Sequence, residues 1–183
     1  MKSDDNLGGV TGTGGWDAPQ LAAVVLSDIA ASPTPYHAVR HMTTLLKQRG
    51  YMQLTEAGRW DCDAGENYFV VRDGSLIIYQ AGNAALTEQG LRIVGAHTDS
   101  PCLKIKPQPD SDGNGYLKLG IEVYGGALFA PWFDRDLSVA GIVYFRDKQG
   151  GMHSELIDLT RPIAVIPSLA IHLVRESYCN RTI

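Results

Sequence analysis

The residues with the clearest chemical potential in this chain are His97 and Asp99, two positions apart in residues 94–101 (VGAHTDSP). The apolar run just before them, residues 91–94 (LRIV), predicts a buried strand that Pro101 ends. A neutral imidazole at the end of a buried strand can bind a transition metal, and a nearby carboxylate can fix its tautomer. Ligands of open α/β sheets also bind at this end of the strands. The pattern therefore raises a metal-hydrolase hypothesis, beside the alternative of a strand-end histidine bound to a turn aspartate.

Three further histidines fall on predicted helices. His37 and His41 are four positions apart, so they share a helix face and have a spacing that can bind zinc. The glutamate of the His-Glu-x-x-His motif is absent between them, which favours a partly exposed helix face. His172 lies in an otherwise apolar segment, where a lone histidine is ordinarily a satisfied core or interface residue. Spacing alone therefore yields no complete ligand set.

Composition excludes several classes of function. The chain has 183 residues, of which 44% are hydrophobic, and a formal net charge of -4, as expected for a globular protein with a core. It has no run of about five or six like charges and no apolar run near the ~18 residues of a membrane helix, so neither nucleic acid nor membrane is an expected partner. Residues 1–16 lack the apolar centre of a signal peptide and are expected to form a flexible head. Three widely spaced cysteines indicate no disulfide framework and favour a cytoplasmic location.

The elements that position these residues are predicted from local signals. Asp17 and Thr34 each begin a helix, and the second helix ends at Gly50. Asp73-Gly74 predicts a hairpin between residues 68–71 and 76–80. Residues 109–115 predict a turn-rich loop. Four strands are predicted at 116–124, 138–146, 155–159 and 163–166, and a helix is predicted at 169–176. Helices followed by many short strands indicate an α/β fold with a β-rich second unit.

Residues 132–141 (WFDRDLSVAG) concentrate aromatic and charged side chains. Arg135 stands between Asp134 and Asp136, which predicts a structural ion-pair network. The preceding Tyr124-Gly-Gly predicts a tight bend or a close approach of two backbones. We interpret this region as scaffold or subunit contact and not as acid–base machinery.

Five unusual sequence blocks follow one another along the chain, at residues 32–39 (SPTPYHAV), 95–103 (GAHTDSPCL), 124–126 (YGG), 132–141 and 166–173 (IPSLAIHL). Together they resemble the M18 family of metallo-aminopeptidases, the aspartyl aminopeptidase family. The blocks stand in family order and reach from the first helix almost to the end of the chain.

The resemblance implies a two-metal, usually zinc, aminopeptidase that acts on peptides, with a preference for acidic N-terminal residues. His97 matches a metal ligand of the family, Asp99 matches the catalytic residue that orients this ligand, and His172 matches a histidine associated with the metal site. Zinc in such a site polarises the peptide carbonyl and activates water, and a carboxylate acts as general base. The family also assembles into large homo-oligomers.

The resemblance further implies a division of the chain. Residues 17–106 would be the first part of a zinc-peptidase-like α/β catalytic domain, and residues 107–183 part of an inserted β-rich dimerisation domain. The family draws further Asp, Glu and His ligands and a catalytic Glu from a later region, and no such block is present here. We therefore expect a truncated chain that is inactive alone. The alternative is a non-catalytic oligomer-assembly module of the same family, while residues 132–141 argue against an unrelated metallo-hydrolase.

Overall fold

The computed structural model of the chain describes residues 17–173, apart from the side chains of Gln89 and Ile171. The predicted head at residues 1–16 and everything from residue 174 onward lie outside the described residues. Within them, two helices come first and strands predominate afterwards, and this mixture of helices and strands confirms the α/β class. No helix in this part of the chain is long and apolar enough to cross a membrane.

Both predicted helices are confirmed, and their ends follow from the sequence. The Asp17 carboxylate accepts a hydrogen bond from the amide of Gln20 at the start of α1 (Ala18–Ala30). The Thr34 hydroxyl does the same for the amide of His37 at the start of α2 (Pro35–Gln48). Such caps satisfy amides that have no partner within the helix.

A three-stranded sheet carries the buried core. Its order is β1 (Met52–Leu54), β2 (Asn67–Arg72) and β3 (Ser75–Gln80), with β1 parallel and β3 antiparallel to β2. The β2–β3 hairpin confirms the prediction from Asp73-Gly74, whereas β1 was not predicted. Helix α2 lies against β3. The buried apolar side chains come from α2 and the central strand: Val39, Leu46, Tyr68, Phe69 and Val70.

The second half of the described chain is built from two further hairpins. A single-turn helix, α3 (Leu86–Gln89), precedes them. Strand β4 (Cys102–Gly113) pairs with β5 (Tyr116–Tyr124), and β6 (Ala140–Arg146) pairs with β7 (Met152–Asp158), both antiparallel. The strands at 116–124, 138–146 and 155–159 are thereby confirmed within a few residues.

The prediction of a turn-rich loop at residues 109–115 is wrong except at the tip of the β4–β5 hairpin. Residues 109–113 continue β4, because pairing with β5 satisfies their backbone groups despite their turn-forming side chains. Only Asn114 and Gly115, both with positive φ, form the turn. The register shifts between Ile105 and Asp110, where two prolines have no amide hydrogen to donate. The domain boundary predicted at residue 107 falls inside this strand, and the division into domains stays a prediction.

The ion-pair network predicted around Arg135 is also wrong. Within residues 17–173, Arg135 pairs with neither neighbouring aspartate, and its guanidinium donates to the carbonyl oxygen of Pro131. The Asp134 carboxylate instead accepts hydrogen bonds from the hydroxyl and amide of Ser168, the latter at 2.8 Å, and these bonds lower its pKa. They hold residues 163–168 beside the 132–141 region. The predicted strand at 163–166 is reduced to isolated bridges, of which Leu137–Ala164 is one.

His37 is buried, contrary to the partly exposed helix face predicted for it. Its side chain is 1% exposed, with Nδ1 2.7 Å from the Thr34 hydroxyl and Nε2 without a hydrogen-bond partner among residues 17–173. Burial, assisted by the Arg40 charge and opposed by that of Asp158, lowers the pKa of His37 below its ordinary value. His41, one turn later, is partly exposed as predicted and places Nε2 2.8 Å from the Asp28 carboxylate of α1.

We expect His37 to make the folded chain less stable as the solution becomes mildly acidic. The unfolded chain takes up a proton near the ordinary histidine pKa of 6.5, whereas folded His37 resists protonation until a lower pH. Its contribution to stability is therefore present above that value and is lost as pH falls toward the lower folded pKa. Urea unfolding at about pH 7.5 and about pH 5.5 measures the free energy of unfolding at each pH. Its decrease between the two pH values should be smaller for His37→Asn than for the unsubstituted chain. Equal losses in the two proteins would contradict this.

Candidate metal centre

The segment that leads to His97 does not form the buried strand predicted for it. Residues 91–94 have no regular structure, with Ile93 83% and Val94 98% exposed. A strand is stable only where a neighbour pairs with its amides and carbonyls. No strand lies beside this segment within residues 17–173, which accounts for the failed prediction.

His97 and Asp99 nevertheless lie together as the sequence predicts. Nδ1 of His97 is 2.7 Å from the main-chain oxygen of Asp99 and 3.3 Å from its Oδ1. Both neighbours are acceptors, so Nδ1 carries the proton and donates, mainly to the closer main-chain oxygen. Nε2 then keeps its lone pair, and the imidazole side chain is 81% exposed. A histidine held at Nδ1 with an accessible Nε2 fits the chemistry of a zinc ligand.

The Asp99 carboxylate has a second partner, which sequence reasoning missed. The Tyr124 hydroxyl, at the end of β5, donates a hydrogen bond of 2.7 Å to Oδ2 of Asp99. This bond is the main cause that lowers the pKa of Asp99, with a smaller contribution from His97, and it raises the pKa of Tyr124. Asp99 is therefore an anion at neutral pH, the state that accepts hydrogen bonds. The sequence predicts a bend at Tyr124 but contains no local signal for its partner.

Thr98 anchors the same loop to the three-stranded sheet. Its hydroxyl donates a 2.7 Å hydrogen bond to the carbonyl oxygen of Gly74, in the β2–β3 turn. Gly74 in turn lies directly against α2, because a side chain there would begin 3.1 Å from Cβ of Pro35. The position of His97 is thus set by the hairpin and by α2, through the residue that follows it.

His172 lies apart from this pair. It belongs to a 3₁₀ helix at Ile171–Leu173, and its side chain is exposed. No hydrogen bond or ion pair joins it to His97 or Asp99 in the part of the chain that the structure describes. Across the same residues, no three His, Cys, Asp or Glu side chains are grouped closely enough to hold a metal ion. Within residues 17–173, His97 is therefore a single potential ligand, held by its immediate neighbours.

Comparison with known proteins identifies relatives of this chain. A family model described as aminopeptidase I zinc metalloprotease (M18) matches residues 29–182. The chain belongs to the M18 family. The resemblance drawn from the five sequence blocks is confirmed, and zinc is the metal that the family's description gives.

Bacterial M18 proteins are similar over most of the chain. Probable M18 family aminopeptidases 2 of Ectopseudomonas mendocina and Azotobacter vinelandii are 52% and 55% identical over 159 residues, which is 86% of this chain. The chain spans 37% of the length of these two relatives.

Solved M18 structures share the fold. A chain in the cryo-EM structure of the Ape4 and Nbr1 complex matches with a TM-score of 0.80 and 37% identity, over 88% of this chain and 31% of that one. A chain of the S. cerevisiae mApe1 dodecamer matches with a TM-score of 0.75 and 31% identity, over 83% of this chain and 36% of that one.

Proposed function

We propose that this chain is part of a zinc-dependent M18 aminopeptidase that releases N-terminal, preferably acidic, residues from peptides. The observation that carries the proposal is the hydrogen bonding and the exposure of the His97 imidazole. Its Nδ1 is held by Asp99 and its side chain is 81% exposed, which leaves Nε2 available to a metal, in a chain that belongs to a family of zinc metalloproteases.

The residues have distinct roles in this proposal. His97 binds zinc through Nε2 and Asp99 orients the imidazole. We also propose His172 as a ligand, although it is not grouped with His97 and Asp99 within residues 17–173. Bound zinc would supply Lewis acidity, which polarises a peptide carbonyl and activates water. Tyr124 and Thr98 support the loop from two sides, through β5 and through the β2–β3 turn. Because the described residues provide no cluster of three ligands, we propose that a two-metal site draws its other ligands from outside them, and that this chain alone has weak or no activity.

The proposal extends to assembly and location. We place residues 17–106 in the catalytic domain and residues 107–183 in a β-rich dimerisation domain, and we propose a homo-oligomer in the cytoplasm. One relative is a dodecamer, the mApe1 protein of S. cerevisiae. The hairpins of the second half expose large apolar side chains that a subunit contact would cover, among them Leu117 at 74% and Tyr144 at 61%.

A non-catalytic assembly module is the second candidate. It is favoured by the same exposed hairpins and by the lack of a three-ligand cluster within residues 17–173. Such a module would keep the subunit contacts of the family and bind no zinc.

Zinc content and hydrolysis test the two candidates on the purified chain. We expect binding of zinc that a chelator removes, together with little hydrolysis of peptides that begin with aspartate or glutamate. A chain that binds no zinc at micromolar metal would support the assembly module. Rapid, chelator-sensitive hydrolysis by the chain alone would contradict the proposed need for further ligands. A matched peptide that begins with leucine controls for the acidic preference.

A further inference from the structure

The two carboxylate oxygens of Asp99 have different neighbours. Oδ1 lies 3.3 Å from Nδ1 of His97, whereas Oδ2 accepts the Tyr124 hydroxyl at 2.7 Å. A phenol that donates to a carboxylate makes a strong, short hydrogen bond, and by length this contact is the closer of the two. A carboxylate with partners on both oxygens has one preferred orientation, so loss of the closer partner would free it to rotate.

The backbone holds Tyr124 within reach of Asp99. Tyr124 is the last residue of β5 and pairs with Cys102, the first residue of β4. Gly125 follows with a φ of +69°, and a side chain there would begin 3.5 Å from Pro101. The end of β5 therefore lies in van der Waals contact with the residue that joins the Asp99 loop to β4. The contact and the positive φ agree with the bend or close approach predicted at Tyr124-Gly-Gly, and they hold the phenol beside the loop.

We propose that Tyr124 is a positioning residue of the metal centre, whose hydroxyl holds the Asp99 carboxylate with Oδ1 toward His97. It acts through Asp99 and touches neither metal nor substrate. By fixing the carboxylate as a second acceptor near Nδ1, beside the main-chain oxygen of Asp99, it helps to keep Nε2 as the nitrogen that faces the metal. That consequence for the metal rests on the role of His97 proposed above, whereas the orientation of Asp99 is a property of the chain itself.

Tyr124→Phe tests the proposal by removing one hydroxyl and keeping the ring. In the isotope-labelled 183-residue chain, couplings from the Asp99 side-chain carboxyl carbon to the backbone nitrogen and carbonyl carbon report its χ1 rotamer. We expect one dominant rotamer in the unsubstituted chain. In Tyr124→Phe, the couplings should average over the staggered rotamers, and the dominant population should fall to roughly one half.

Tyr116→Phe is the matched control, at the opposite end of β5. Tyr116 is 73% exposed and its hydroxyl makes no hydrogen bond within the described residues, so removal of that hydroxyl should leave Asp99 unchanged. Backbone amide shifts of β4 and β5 show whether each variant keeps the strand pairing. An unchanged Asp99 rotamer in Tyr124→Phe would overturn the proposal. So would averaged couplings in the unsubstituted chain, a measurement that depends on no variant.

This experiment separates the inference from the proposed function. The couplings are measured without metal or substrate, so a chain that binds no zinc still gives a decisive result for Tyr124. Conversely, zinc binding and hydrolysis can be established even where the χ1 rotamer of Asp99 does not depend on the Tyr124 hydroxyl.

Discussion

Replacing His97 with alanine is expected to lower the zinc affinity of the chain by at least about 100-fold, since loss of a residue that only supports a ligand already costs about 10–100-fold. The imidazole of His97 is 81% exposed and is held at Nδ1 by the main-chain oxygen and the carboxylate of Asp99. Equilibrium dialysis against zinc measures the effect directly. In an enzyme that contains this sequence, hydrolysis should fall in parallel.

His153→Ala is the control for this substitution. His153 is a half-exposed histidine of β7 whose Nε2 lies 2.6 Å from the Asp147 carboxylate, so neither residue belongs to the proposed centre. Its replacement should leave zinc binding unchanged, while His172→Ala should weaken binding if that residue completes the site. Equal zinc affinity in His97→Ala and His153→Ala would show that His97 is not a ligand.

The largest loss of stability is expected from Phe69→Ala. Phe69 is fully buried in the central strand of the three-stranded sheet, between Tyr68 and Val70, which are 2% and 5% exposed. Truncating a buried phenylalanine removes apolar burial and leaves a cavity, at a cost of about 3–5 kcal/mol. Because domains are stable by only about 5–15 kcal/mol, the variant should unfold at much lower urea or temperature. Circular dichroism during urea titration measures the change.

Phe145→Ala provides the matched comparison on another hairpin. Phe145 is 46% exposed on β6 and stacks on His153 with ring centroids 5.7 Å apart. Its truncation should cost clearly less than that of Phe69, since much of the ring is already in water. Similar losses from both variants would mean that the sheet around Phe69 is not the main core.

Features that depend on neighbours in sequence could be predicted from the sequence. The caps at Asp17 and Thr34 act within one helical turn, and Asp73-Gly74 closes a hairpin from adjacent residues. The contact between His97 and Asp99 spans two positions, so it too was accessible to sequence reasoning. These interactions need no knowledge of the rest of the fold.

Features that depend on distant partners could not be predicted in this way. Residues 91–94 are apolar enough for a buried strand, but burial requires a neighbouring strand that the described residues do not place there. Residues 109–113 carry turn-forming side chains, yet β5 supplies the pairing that makes them a strand. The hydrogen bond between Tyr124 and Asp99 joins two distant regions of the chain, and neither residue type indicates which partner it will have.

The hydrogen bond from Thr98 to Gly74 also bears on the order in which the chain folds. The β2–β3 turn closes a very short loop, so it forms early and at little entropic cost. Thr98 gains its acceptor only after that turn exists, and the Tyr124 bond requires a longer hairpin that leaves the ribosome later. During synthesis, we therefore expect the β2–β3 turn to form before the His97 loop docks on it, and the contact of that loop with Tyr124 to form last of the three.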